Sequence, residues 1–278
     1  MKRLLKNPLS LAGLVIVVIL LLAALLAPVL APFPDHALGG VNPVARFHPP
    51  DGTYWMGTDD LGRDIFSRVL YGARISVWTG VLAIGLALVL GVPLGAVAGT
   101  FGGAVDELIM RITDIFLSFP PLLLAIAIGA MLGPSLSNTM IAIALAWWPW
   151  YTRLIRGEAT SVRERPFVEA ARAAGVRPLV IVFRHILPNT IAPVIVQASM
   201  DFGSVVLTLA SLSFLGLGAQ VPTPEWGLMI NTGRTYFVNA PWYVTYPGLA
   251  IFLTVLGFNL LGDGLREVLD PKGVKRSA

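Results

Sequence analysis

The chain has 278 residues, of which 55% are hydrophobic and only 13% charged, with a mean hydropathy of +0.75. That balance excludes an ordinary soluble domain, in which charged residues make up about a quarter of the total. The absence of cysteine excludes disulfides and thiolate metal sites, and the isoelectric point near 9.6 asks whether the positive charge serves nucleic acid or membrane topology.

A membrane-spanning helix needs about 20 mostly apolar residues. The first such window is 9–31, with no charge between Lys6 and Asp35. Lys2, Arg3 and Lys6 ahead of it resemble the start of a secretory signal, but the apolar stretch is longer than the 7–15 residues of a signal core and has no clean small-x-small site before Pro28. A retained first span is expected. Residues 32–74 then form a long loop rich in Pro, Gly and Asp. Its second half predicts a helix capped by Thr58 or Asp60, with Ile65, Phe66, Val69 and Leu70 at helical spacing. That helix either lies on the membrane surface or, through Asp59, Arg63 and Asp64, lines a pathway or docks an extracytoplasmic partner.

A second span is predicted over 75–100. Gly102-Gly103 turns the chain into a helix with Asp106 and Glu107 in its first turn, where the helix dipole favours acids. Further spans are expected over 115–132, 140–151, 191–218 and 244–261, making six, with Asp201 inside the fifth as a further candidate, beside Asp59, Arg63 and Asp64, for lining a pathway or docking a partner. Tryptophans 226 and 242 in the loop 219–243 fit an interfacial belt.

Six spans with a cytoplasmic N-terminus put fifteen of the twenty lysines and arginines on the cytoplasmic side, including seven arginines between 153 and 184. Only Arg46, Arg63, Arg68, Arg74 and Arg234 fall outside. The basic excess therefore signals topology, and no nucleic-acid partner is expected.

Between the fourth and fifth spans lies a polar island, 164–188. Pro166 suits a first helical position, where its missing N–H costs nothing. Gly175 suits the left-handed position just past a helix end. Ala170, Ala171, Ala173 and Ala174 between them predict a helix of about two turns with a flat face, although Arg165 is a poor N-cap. Pro178 opens a second short helix and Pro188 is expected to close it. Glu169 and Arg172 add directional charge. These features describe either a docking helix for a soluble partner or a connector resting on lipid headgroups.

The run Glu169-Ala170-Ala171, then Gly175 and Ile186-Leu187-Pro188, resembles the EAA loop of ABC-importer permeases. Gly57-Thr58-Asp59, Leu61-Gly62-Arg63-Asp64, Tyr71-Gly72-Ala73-Arg74, residues 211–218, residues 259–266 and Leu269-Asp270-Pro271 are similar to the peptide-type permeases. The resemblance covers residues 5–271 and points to the permease family of dipeptide, oligopeptide and nickel importers. One departure is Leu209, where that family commonly carries Glu; Asp201 is then the only carboxylate in the fifth span.

The resemblance implies an all-α polytopic fold of the type I ABC importer permease kind. It implies a tail, first span and external loop over 1–74, a permease core over 75–271 with a coupling loop at 152–190, and a cytoplasmic tail over 272–278. It also implies a homologous permease as partner, two ATP-binding subunits seated on coupling helices, an extracytoplasmic binding protein, and the cytoplasmic membrane as location. Glu169, Ala170, Ala171, Arg172, Gly175 and Pro188 would carry the coupling. No lysine follows a glycine, so no P-loop is present, and ATP with magnesium is expected on the partners, with no cofactor or metal in this chain. The histidines His36, His48 and His185 form no zinc pair. Two rivals remain in view. A secondary transporter would show inverted repeats, which are not visible. An intramembrane aspartyl protease would need two carboxylates sharing a site, and only Asp201 and Asp263 lie near spans.

Overall fold

The computed structural model describes residues 7–269, so the six N-terminal residues, the Asp270-Pro271 pair and the 272–278 tail lie outside the described part. Every named element in that part is helical, and the only β pairing there is an isolated bridge between Thr58 and Asp64. The chain passes six times between two ends. The passes are α1 (Pro8–Leu30), α3 (Ile65–Phe101), the pair α4 (Gly103–Leu117) and α5 (Pro121–Leu132), α6 (Leu136–Arg163), α9 (Leu187–Phe214) and α11 (Trp242–Leu269). Short helices α2 (Pro34–Ala37) and α10 (Trp226–Gly233) sit at the loop end; α7 (Pro166–Ala173) and α8 (Pro178–Ile181) sit at the arginine-rich end.

By apolar length alone, four helices qualify to cross a membrane, or five if the bent α4–α5 pair counts as one, rather than the six expected. The difference is chemical. α6 opens on the polar Ser137, Asn138 and Thr139 and carries Arg153, Arg156, Glu158 and Arg163 in its second half, so the apolar run between them is too short for a full spanning window. The third span is also not the straight 115–132 helix expected. Proline at 120 lacks the N–H a continuing helix needs, and the chain bends by 87° between α4 and α5.

The tightest packing joins α3 to α6, two helices running in the same direction. Gly91, Gly95 and Gly99 form a ridge of small residues on α3 that lets the α6 backbone approach closely. A Cβ on Gly91 or Gly99 would lie 2.5 Å from the carbonyl oxygen of Trp148 or Arg156, and one on Gly95 would collide with that of Thr152. The Thr152 hydroxyl shares its proton between the Gly91 carbonyl at 3.1 Å and the Trp148 carbonyl of its own helix at 3.0 Å. A Gly95→Leu variant should separate the pair and cost about 1–3 kcal/mol, as overpacking does. A thermal melt of the detergent-solubilised protein checks this, and an unchanged midpoint would show that the helices do not need the close approach.

At the loop end, residues 57–64 are not the expected helix. Asp64, not Thr58 or Asp60, caps α3, its Oδ2 accepting the Ser67 N–H at 2.7 Å. Burial raises the Asp64 pKa, with the Ser67 hydrogen bonds opposing. Ile65, Phe66, Val69 and Leu70 therefore belong to the first turns of a single long α3. The preceding turn folds around the fully buried Asp59. Its Oδ1 accepts the N–H groups of Leu61 and Arg63, both at 2.9 Å, and its Oδ2 takes the Arg63 Nε at 2.6 Å. Arg68 approaches the same Oδ2 at 3.6 Å and donates to the carbonyls of His36 and Pro222. Trp242 Nε1 on the Thr58 carbonyl and the Tyr243 hydroxyl on Asp60 tie this loop to α11.

Candidate functional site: the elbow between α6 and α9

The polar island folds largely as its residues dictate. Pro166 occupies the first turn of α7, and Arg165 at the N-cap makes no side-chain cap. The helix ends in a Schellman motif: Gly175 has φ +75°, its N–H meets the Arg172 carbonyl at 2.9 Å, and the Val176 N–H meets that of Ala171 at 3.1 Å. Val176 and Ala171 then pack together with a small core of Ala159, Val162, Val168, Ile181 and Ile186. So short a helix is marginal by itself; here this core clamps it to the end of α6 and to the segment leading into α9.

Pro188 does not close the second helix. The chain continues from α8 through a π-helical turn, Val182–Ile186, straight into α9. The wider turn relieves the clash that the Pro188 ring would make with the carbonyl four residues back. The Asn189 side chain also takes up the His185 carbonyl at 2.7 Å. Likewise the first part of the stretch 152–190 is the charged end of α6, which runs unbroken to Arg163.

The outer side of the elbow is open. Glu169, Ala170, Arg172, Ala173, Ala174 and Gly175 are exposed, whereas Ala171 is half-buried against the clamp. Beside them Phe167, Leu179, Val180 and Phe183 are 41–57% exposed. Those apolar residues were not singled out from the sequence; the available signal was large apolar side chains inside an otherwise polar island. A cavity of about 590 Å³ opens beside α7, lined by Thr100, Phe101, Arg163, Glu164, Arg172 and Val176 among others. An exposed apolar patch with charges of both signs and a concave edge has the make-up of a contact surface rather than of a site for a small reactant.

Two ion pairs hold the neighbouring α4 against α6. Arg156 binds Asp106 in bidentate fashion at 2.6 and 3.0 Å, and Arg153 pairs with Asp114.

The other residues singled out lie away from the elbow. Asp59, Arg63 and Asp64 are 0–3% exposed at the loop end, so they organise the loop and present no surface to a partner. Asp201 is half-buried in α9, where Gln197 Nε2 donates to it at 2.9 Å. Leu209 is fully buried. A buried carboxylate does occur nearby in Glu225, which caps α10 through the N–H groups of Gly227 and Leu228; burial raises its pKa and those bonds oppose the rise. Among the described residues no cluster of three metal-ligating side chains occurs.

Comparison with known proteins agrees with this architecture. Residues 91–274 match the family of binding-protein-dependent transport system inner membrane components, and residues 1–50 match the N-terminal transmembrane domain of oligopeptide transport permease C. The chain is 50% identical over 271 residues to the dipeptide transport system permease protein DppC of Alkalihalophilus pseudofirmus, covering 98% of this chain and 88% of that one. It is 47% identical to the probable D,D-dipeptide transport permease DdpC of Escherichia coli K12, over 98% and 90% of the two chains. It is 48% identical to the glutathione transport permease GsiD of Pectobacterium atrosepticum, over 80% and 74%. A solved structure of the MetNI methionine ABC transporter in an inward-facing conformation shares the fold, with a TM-score of 0.59 at 17% identity, over 74% of this chain and 98% of that one. Neither an aspartyl protease nor a secondary transporter fits these matches. The chain belongs to the family of binding-protein-dependent transport system inner membrane components, as a membrane-embedded permease of the ABC importer type.

Proposed function

We propose that this permease pairs with a homologous permease to carry peptides inward across the cytoplasmic membrane, and that the α7 elbow is the seat of an ATP-binding subunit. The observation that carries the reading is the elbow itself: a short helix clamped on one side by its own core and open on the other. Glu169, Ala170 and Arg172 would meet the ATPase directly. Ala171 and Gly175 would keep the helix closed and oriented, and Pro188 would keep the π turn that joins the elbow to α9. The peptide cargo is inferred from the named relatives, all of which are named for peptide or glutathione transport.

ATP with magnesium would be bound by the two ATPase partners, and this chain's part is mechanical. A rigid elbow converts displacement at α7 into tilting of α6 and α9, which opens the pathway to one side and closes it to the other. An extracytoplasmic binding protein would deliver the solute at the loop end, above α10 and the 32–64 loop.

The reading places the elbow and both chain termini in the cytoplasm. Because the chain has no native cysteine, single substitutions report cleanly. Cysteine at the exposed Ala173 should react with a membrane-impermeant maleimide only in inverted vesicles, and cysteine at the exposed Gly52 only in intact cells. The opposite pattern would invert the topology and refute the placement of the ATPase.

A further inference from the structure

Along α9, Gln197, Asp201, Ser204, Thr208 and Ser211 recur at intervals of four, three, four and three residues, which puts them on one face of the helix. The face of Phe202, Val205, Val206, Leu209 and Leu212 is buried in the chain, and Thr208 at the edge of the polar row is buried with it, whereas Ser204 is exposed and Gln197, Asp201 and Ser211 are half-buried. A polar row with a carboxylate near the middle of a 28-residue spanning helix is costly against lipid and is at home beside water or a polar solute.

The hydrogen bonding of this face narrows what it can receive. The Thr208 and Ser211 hydroxyls spend their protons on the carbonyls of Ser204 and Leu207, both at 2.8 Å. Gln197 spends a donor on Asp201 Oδ1. The Tyr151 hydroxyl, on a side chain with no exposed surface, lies beside the same carboxylate without a well-formed hydrogen bond of its own. What remains available as acceptor is the second carboxylate oxygen, the Gln197 carbonyl oxygen and the lone pairs of the Ser204 and Ser211 hydroxyls, against the Ser204 hydroxyl and the second Gln197 N–H as donors, with the carboxylate the one full charge among them. A single carboxylate cannot chelate a metal ion, and no larger ligating cluster occurs among the described residues. A group with several N–H donors and a positive charge fits.

We propose that Asp201, backed by Tyr151 and Gln197, receives the primary ammonium group of the solute during its passage between the two permeases. The inference rests on the peptide-import reading, since peptides carry such a group at their N-terminus.

The test uses the whole transporter with its ATPases and binding protein in proteoliposomes, with dialanine as the probe. Asp201→Asn should lower dialanine uptake about tenfold or more, the usual scale for losing one charge-assisted hydrogen bond, while ATP hydrolysis stimulated by the binding protein stays within about twofold. Asp201→Glu should restore most of the uptake. In the unmutated complex, a hydrophobic carbodiimide should modify Asp201, as read by mass spectrometry. Dialanine at high concentration should slow that reaction, and N-acetyl-dialanine should not. Undiminished uptake by the Asn variant, equal protection by the two peptides, protection by neither, or no modification at all would each overturn the proposal. If the unmutated complex takes up no peptide at all, the peptide reading itself fails. Uptake that is present but indifferent to residue 201 sinks only the role of Asp201.

Discussion

An Asp59→Ala permease is expected to lose about 3–5 kcal/mol of stability, the range seen when one partner of a buried ion pair is removed. Asp59 has no exposed surface, and Arg63 and Arg68 beside it are each 3% exposed. Removing the carboxylate leaves two buried guanidinium groups with only the partly exposed Asp60, 3.8 Å from Arg63, as counter-charge, and strips the acceptor from the N–H groups of Leu61 and Arg63. The damage would spread through Trp242 and Tyr243 into α11, because both are tied to this loop. Asp59→Asn separates the two contributions, since it keeps an acceptor oxygen for the backbone but drops the charge. The Asn variant should lose most of what the Ala variant loses. Size-exclusion profiles of the solubilised protein after stepped heating measure this; an Ala variant that melts with the parent would show that the network is dispensable.

Gly175→Val is expected to uncouple transport from ATP hydrolysis while leaving the fold in place. At φ +75° a β-branched residue is strained by about 1–2 kcal/mol, which corresponds to roughly tenfold in the population of the native helix end. A Cβ at this position would meet no atom within 4 Å, so the effect is one of backbone conformation and not of crowding. The Schellman bonds to Arg172 and Ala171 would loosen, and with them the contact of Val176 with the elbow core. Uptake in the assembled complex should fall about tenfold and stimulation of ATP hydrolysis by the loaded binding protein should fade, on the same energy scale. Asparagine tolerates the left-handed region, so Gly175→Asn should retain most of the activity. Full transport by the Val variant would remove Gly175, and the closed helix end it maintains, from the coupling role.

These two residues also mark what was and was not legible beforehand. Pro166 and Gly175 announce their conformations because each restricts or frees φ by covalent structure alone, and both ends of α7 fall where those residues place them. Asp59 announced nothing of the kind. Thr58 and Asp60 looked like helix caps by residue type, but capping preference is a local term worth about 1 kcal/mol. It yields to a fully buried carboxylate that gathers two backbone N–H groups and two arginines from a different turn of the chain. Asp201 lies between the two cases: its isolation in an apolar span was visible, but its company of Tyr151 from α6 was not.

Composition and order of residues alone determined the membrane class, the all-helical fold, the separation of a polar elbow from apolar spans, and the capping of that elbow. All of these rest on terms read within one or two helical turns, or on sums over a window as long as the bilayer is thick. Tertiary structure decided the rest. It turned 115–132 into a bent pair, carried α8 through a π turn into α9, seated α6 on the glycine ridge of α3, and buried Asp59, Arg63 and Asp64. The physical reason is that backbone approach, burial and ion pairing depend on what another helix brings to the same place, and no local pattern records that.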